Sequence, residues 1–417
     1  MKTLILFFRK LGLFLLLLTL VLFVTQTLFL APLALLSVLG CVYIIRTWPE
    51  VRVQATMKLL VLFLCLWLPM AFSSLDAVNA SRALEKTLAY ALYLPAAVFI
   101  VYSIANARVI QLLHAFIFIL LSLWIIDGAI QYFAGRNLLG YPYTPPQLMG
   151  LFYPKVRMPY FLAVLAPLYF EFIRLHCKKH IWLLLLLIPF AMMILLGGKR
   201  TAWMMLMFSG TGYLVYLYLI NRRFNLKIIV LTAIIVLVPA WLLVATHHPL
   251  SDRIDSTLAV FSTDAATIDK ATAHRLDLWR VAVAIARDHW INGVGPRGYR
   301  EVFNSYAEQN NFWVQSGRPQ GTTHPHLALA EIACETGLVG LAGYLVFYLL
   351  LLRWLYHELR AGRLQHMPWL LCPLTAWFPL NAHLAFYGSY WSSFGWWMLA
   401  VSFAVVYSAR HGPDTDH

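Results

Sequence analysis

Apolar residues along this chain come in blocks of roughly 17–25, long enough at about 1.5 Å per residue to cross a hydrocarbon layer of about 30 Å. Short clusters of charge, glycine and proline separate the blocks. Cutting at those clusters predicts about twelve helices, over residues 11–27, 29–46, 58–75, 86–105, 109–132, 158–174, 181–197, 201–220, 228–245, 326–352, 368–386 and 391–409. The first pair is the least defined, because Leu11–Ile45 carries no charge and reads equally as one bent hairpin. No segment shows the apolar/polar alternation of a membrane β-barrel. The pattern predicts an all-α polytopic membrane protein.

One stretch departs from it. Residues 246–325 are hydrophilic, which divides the chain into helices 1–9 (1–245), a loop domain (246–325), and helices 10–12 with a tail (326–417). A loop of this length is functional or disordered more often than a connector. Trp279, Trp290, Phe303, Tyr306, Phe312 and Trp313 give it residues to pack, so order is expected. The plain alternative is a passive cap over the bundle. Within it, Ala273–Trp290 reads as an amphipathic helix with Leu278, Trp279, Ala282, Val283, Ile285, Ala286 and Trp290 on its apolar face.

Composition agrees with the pattern: 61% of residues are hydrophobic and 12% charged, against about 45–50% and about 25% in soluble domains. A water-soluble enzyme, a disordered chain and a coiled coil are excluded. The formal charge of +14 raises the question of nucleic acid, but most of the basic residues sit in short loops between spans. Placing the N-terminus inside puts Arg46, Arg52, Lys58, Arg174, Lys178, Lys179, Arg222, Arg223, Arg353 and Arg360 on the inner side, as the positive-inside rule requires. Both termini are then cytoplasmic and the long loop faces outward. Lys2, Arg9 and Lys10 before an apolar run resemble a signal peptide, but no small-residue cleavage site follows, so a retained first helix is expected. The five cysteines never form CxxC and read as small buried hydrophobes.

Several charges need a reason. Gly197-Gly198-Lys199-Arg200 turns sharply between two apolar spans and places two cations at the outer face, against the positive-inside trend. Either they snorkel as interfacial anchors or they grip an anion, as a guanidinium does with two parallel hydrogen bonds. Arg275 projects into the apolar face of the loop helix with no acid three or four positions away on that face. It must bind an anion, pair with a distant acid, or lie at the surface. Thr322-Thr323-His324-Pro325-His326 precedes the tenth span and fits a helix cap, with His326 in the first turn. The helix dipole there favours a neutral imidazole able to accept a proton. His-x-His also admits a metal pair, or a plain interfacial histidine. Glu331 and Glu335, spaced i,i+4 in the outer half of the membrane, are expected to pair with the outer arginines in a structural role. Gly337, Gly340 and Gly343 suggest close helix packing.

Outward arginines and a neutral histidine at a membrane boundary suit a lipid-borne anionic substrate such as a lipid-linked pyrophosphate. Arginines would hold the diphosphate as charge develops on it, and a histidine would take a proton from an acceptor hydroxyl. The first outer turn, Thr25–Ala31, has no carboxylate, and Asp414–Asp416 is the only Asp-x-Asp, in the tail. Transfer without a metal or other cofactor is expected.

The ordered set Gly-Gly-Lys-Arg-Thr-Ala (197–202), Ala273-His-Arg-Leu-Asp-Leu-Trp, Ile291-Asn-Gly-Val-Gly-Pro-Arg-Gly-Tyr, and His324-Pro-His followed by Glu331-Ile-Ala-Cys-Glu335-Thr-Gly-Leu-Val-Gly resembles the bacterial O-antigen ligase family and its O-antigen polymerase relatives. The resemblance is sharp over about Leu195–Leu341. It implies a GT-C-like, metal-independent, inverting glycosyltransferase of the bacterial inner membrane with its active site facing the periplasm. Its donor would be undecaprenyl-pyrophosphate-linked O-antigen and its acceptor a sugar hydroxyl of lipid A–core, with membrane lipids around it and no nucleic acid. By position, His326, Arg200 and Arg275 match the family's catalytic residues. Lys199, His324, Arg157 and Arg297 are the candidate substrate-binding residues. The family often has Asn after the histidine where this chain has Leu327. A polymerase using the same donor is the nearest alternative. A transporter of an anionic lipid or solute, with charges near the midplane and repeated halves, and a structural scaffold are the alternatives of another class.

Overall fold

The computed structural model describes residues 2–46, 54–104, 106–221, 248–317, 322–382 and 384–411. Among these residues the regular elements are helices, with no strand. Six helical stretches are long and apolar enough to cross a membrane: Thr56–Ser73, Ala80–Ser103, Ala107–Ala134, Met158–His176, Arg200–Asn221 and Ala328–Arg360. Shorter apolar helices cover Leu30–Arg46 and Ile181–Leu196. The expected span at 228–245 and the acids Asp414 and Asp416 lie outside the described residues.

The charge-free N-terminal stretch resolves into α1 (Lys2–Leu22) and α2 (Leu30–Arg46). Thr25 makes the turn between them, its hydroxyl donating to the Leu22 carbonyl (2.7 Å) and accepting from the Leu28 N–H (3.1 Å). After α3 (Gln54–Ser73), the stretch expected as one helix over 86–105 forms two, α4 (Ala80–Ala91) and α5 (Tyr93–Ser103). Pro95 explains the break, since a proline ring collides with the carbonyl four residues earlier, here Ala91. Then follow α6 (Ala107–Ala134), α7 (Met158–His176), α8 (Leu187–Leu196, entered through a 3-10 turn) and α9 (Arg200–Asn221).

The long loop folds into α10 (His248–Leu258), α11 (Ala265–Ala271), α12 (Arg275–Asp288), α13 (Tyr299–Tyr306) and α14 (Phe312–Gln315). The chain then re-enters the bundle as α15 (Ala328–Arg360), α16 (Met367–Ala376) and α17 (Ser389–His411). The stretch expected as a helix over 368–386 is helical only to Ala376. Pro379 lacks a donor and biases the residue before it away from helix. The following non-helical segment is nevertheless partly buried, with Asn381, Phe386 and Tyr387 inside. Irregular backbone at that depth is tolerated only where protein satisfies its polar groups.

Helix α7 is the central stave and packs on α6, α9 and α16. Phe161 through Leu168 are wholly buried, and the Phe161 ring lies 4.2 Å from that of Phe394 on α17. Lipid tails are as apolar as leucine, so association here rests on close packing rather than on escape from water. Gly343 shows it: a Cβ there would stand 2.2 Å from the Cys65 carbonyl oxygen of α3.

Gly337 plays a different part from the packing edge that its spacing suggests. Its φ of 62° and ψ of −155° break α15 after two and a half turns, a backbone region open essentially to glycine alone. The segment 290–295 lies across the break. Leu338 and Val339 donate to the Trp290 and Ile291 carbonyls (2.8 and 3.1 Å), while the Val294 and Gly295 N–H groups donate to Cys334 and Glu335 (2.9 and 3.0 Å). The freed groups of the helix thus find partners in the loop domain. A Cβ on Gly337 would fall 2.4 Å from the Ile291 carbonyl carbon, and one on Gly293 would fall 2.3 Å from that of Glu335. Gly337→Ala is expected to cost about 1–3 kcal/mol from backbone conformation alone and to loosen the loop, visible as faster proteolysis of residues 248–317 in membranes. Unchanged protease resistance would mean that the loop docks without this junction.

Candidate active site

Arg200 is the first residue of α9, directly after the Gly197-Gly198 turn. Gly197 sits so close to α7 that a Cβ would meet Pro159 Cγ at 2.1 Å, which brings the start of α9 beside the start of α7. The Arg200 guanidinium is half-buried and reaches up into the loop domain. It donates to the Ala271 carbonyl at the end of α11 and to Ser256 Oγ of α10 (2.6 Å). Lys199 precedes it, half-buried, its carbonyl accepting from Ala202 and Trp203.

Four residues beyond Ala271, Arg275 opens α12. Ala273 and His274 before it both have positive φ (56° and 57°), a conformation that costs roughly 1–2 kcal/mol for a residue with a Cβ. The neighbours hold it there. His274 Nδ1 meets Asp269 Oδ2 at 2.6 Å, its ring stacks on Phe312 at 3.7 Å, and its carbonyl accepts from Trp313 Nε1 at 2.7 Å. The Phe312 N–H caps onto Asp277 Oδ2 (3.0 Å). Arg275 itself is half-buried. The buried face of α12 is Leu278, Val281, Ala282 and Ile285, packed on Tyr299, Phe303 and Cys334. Val283 and Trp290, expected inside, are exposed, because the helix turns its face toward Cys334 of α15.

The same helix holds the histidine segment. Trp279 Nε1 donates to the Pro325 carbonyl (3.1 Å), and Arg300 Nη2 approaches the Thr323 carbonyl (3.4 Å). His324 and His326 lie with ring centroids 4.0 Å apart, and His324 Nδ1 is 3.0 Å from the Thr323 hydroxyl. The expected threonine cap is not formed. Helix α15 starts at Ala328 with no side-chain cap, and the Ala328 N–H donates instead to the Asn381 carbonyl (2.9 Å). His326 therefore stands two residues ahead of the helix, at φ 53°, rather than in its first turn.

Below it, Glu331 and Glu335 are completely buried. Glu331 accepts from the Phe386 and Tyr387 N–H groups (2.9 and 3.2 Å) and lies 3.3 Å from Arg297 Nη1. Glu335 Oε2 accepts the Arg297 N–H (2.7 Å). These carboxylates thus join the irregular stretch before α17 to the loop domain through Arg297, itself 9% exposed and at φ 65°. Beside them, burial pushes the Tyr299 hydroxyl well above its usual range, and it donates to the Leu278 carbonyl (3.0 Å). Arg157 lies apart from this network. It precedes α7 and stacks its guanidinium 3.5 Å over the Tyr390 ring. Among the described residues, no group of three or more His, Cys, Asp or Glu is spaced to hold a metal ion.

The positive-φ residues other than glycine among the described residues are Ala273, His274, Arg297 and His326. All lie in the loop motifs and the histidine segment, and strained backbone of this kind gathers at functional sites. Residues 182–345 match the family model described as O-Antigen ligase. Over that stretch, which is less than half of the chain, the sequence is similar to this family. No curated protein matches the chain. The matched stretch contains Arg200, Arg275, Arg297, His326 and both buried glutamates, while Arg157 and the amides of Phe386 and Tyr387 fall outside it.

Sequence reading missed two groups that shape the surroundings of this stretch. Asp127 and Gln131, buried on α6, anchor the segment that leads to Arg157. Asp127 binds Asn137 Nδ2 and the Leu138 N–H (both 3.1 Å), and Gln131 Oε1 accepts from Met149 and Gly150 (3.2 and 2.7 Å). A lone acid in an apolar span was the available signal. Asp269 and His274 were missed as the brace behind Arg275; nothing in their spacing marks them.

Proposed function

We propose that the protein is an O-antigen ligase, transferring O-antigen polysaccharide from undecaprenyl pyrophosphate to a sugar hydroxyl of lipid A–core, by metal-independent inverting transfer in a GT-C-like bundle of about twelve spans. The observation that carries the reading is the hydrogen-bonded relay from Arg200 to Ala271 and from Trp279 to Pro325, which ties the three motif segments of the matched stretch into one assembly.

In this reading His326, held ahead of α15, takes the proton from the acceptor hydroxyl. The acceptor oxygen bonds to the anomeric carbon from the face opposite the phosphate, and the carbon–oxygen bond to the diphosphate breaks. The electron pair leaves on undecaprenyl pyrophosphate, whose charge Arg200 and Arg275 stabilise. Each arginine opens a helix, so the dipole of α9 or α12 adds to its charge at the phosphate. Lys199 and His324 contact the substrate beside them and Arg157 lines its approach, whereas Arg297, turned inward onto Glu331 and Glu335, braces the fold rather than the substrate. The site faces the periplasm of a bacterial inner membrane, with both termini cytoplasmic.

Purified protein given the lipid-linked glycan and either lipid A–core or a second lipid-linked chain tests the acceptor. Product on lipid A–core is expected; elongation of carrier-bound chains instead would make the protein a polymerase. Arg200→Lys and Arg275→Lys test the clamp. Each is expected to keep less than about a tenth of wild-type transfer, because the ammonium cannot reproduce the two-pronged grip. Near-normal rates in both lysine variants would leave only a point charge or a structural tether. Transfer should also persist in excess chelator; loss restored by a divalent ion would overturn the metal-free mechanism.

A further inference from the structure

At the end of α15 remote from His326 lies a groove of about 730 Å³ between α3, α15 and α17. It stands some 35–40 Å along the helix from the histidine segment, at about 1.5 Å per residue. Its ionisable lining is entirely basic: Lys58, Arg353, His357, Arg360 and Arg363. On α15, Arg353, His357 and Arg360 follow at i, i+4 and i+7 and so share one face. Below this rim the walls are apolar, formed by Val61 and Leu62 of α3, Leu350 and Trp354 of α15, and Phe403 of α17. Trp354 and Phe403 close the floor with ring centroids 4.0 Å apart.

Glu358 is 1% exposed and is engaged by Arg363 Nε (2.6 Å) and His366 Nδ1 (2.9 Å). Arg363 is thereby fixed in place; Lys58, Arg353 and Arg360 are exposed, above a half-exposed Val61.

We propose that this groove binds an anionic phospholipid, with its phosphodiester among Lys58, Arg353 and Arg360 and its acyl chains along Val61, Leu350 and Trp354. A zwitterionic lipid would bring its own cation against the rim, and a free phosphate would leave the apolar walls wet. Basic pockets between membrane helices recognise anionic headgroups on this principle. The site is separate from the glycan chemistry.

The test is native mass spectrometry of the full chain in neutral detergent, titrated with phosphatidylglycerol or with phosphatidylcholine of the same acyl chains. Retention of phosphatidylglycerol at least about tenfold tighter is expected. Lys58→Gln, Arg353→Gln and Arg360→Gln should each weaken it about fivefold, equivalent to about 1 kcal/mol per cation. Val61→Trp, which fills the groove and leaves the rim charged, should abolish it. These side chains are exposed, so monodispersity should match wild type. Equal retention of both lipids, unchanged binding in the three charge variants or in Val61→Trp, or displacement by equimolar glycerol phosphate would each overturn the assignment. The readout involves no glycan, so failure of the ligase reading would leave it standing.

Discussion

Replacing His326 with alanine is expected to lower glycan transfer by about 10²–10⁴-fold, the usual worth of a positioned general base, with insertion and expression unchanged. The backbone matters to the design of this experiment. His326 sits at φ 53°, where alanine is strained and asparagine is comparatively at ease. His326→Asn therefore keeps the turn ahead of α15 while removing the imidazole. Both variants should be inactive if the ring takes the proton. Loss in the alanine variant with activity retained in the asparagine variant would show that the segment's shape, not its base, is what transfer requires. Wild-type rates in both would end the general-base assignment. Trp279→Phe supplies an intermediate case: it deletes the bond to the Pro325 carbonyl but leaves the ring, and should reduce transfer about tenfold or less through misplacement of the histidine segment.

Glu331→Ala is the substitution expected to damage the fold most. The carboxylate accepts two backbone N–H bonds from the irregular stretch before α17 and faces Arg297, all out of solvent. Its removal strands a buried guanidinium and two amides together. Breaking a buried pair on one side costs about 3–5 kcal/mol, so the variant should accumulate poorly and unfold earlier in detergent. Glu331→Gln retains one acceptor oxygen and should fall between the two. Arg297→Ala leaves the carboxylate with both N–H donors and should be milder than Glu331→Ala. A variant lacking the Glu331 carboxylate yet melting with wild type would mean that water serves these groups, and that the glutamate is not what holds the loop domain to the bundle.

Both predictions depend on features of unequal visibility in the sequence. The existence of the helices was legible, because a hydrocarbon layer demands unbroken apolar stretches of fixed length. Their ends were less so. Pro95 divides one expected helix at Ala91 and Pro379 shortens another to Ala376, and a proline's effect depends on which carbonyls it meets and what else can satisfy them. Arg200, Arg275 and the histidine pair stood out as charges at odds with their surroundings. Arg297 stood out less, since a basic residue in a hydrophilic loop is unremarkable until two buried glutamates are found around it. The interior role of Asp127 was visible only as an isolated acid.

The sequence by itself determined that the chain is helical, membrane-crossing and interrupted by one large folded loop, because apolar length and period are local properties. It also set which motifs carry unusual charge. Only the tertiary structure decided that Gly337 opens a helix for the loop to enter, that Glu331 holds backbone amides more than fifty residues away, that the end of α11 holds Arg200 at the start of α9, and that Trp279 of α12 holds the Pro325 carbonyl beside His326. Those are pairings between distant segments, and hydropathy carries no information about which buried polar group will answer which.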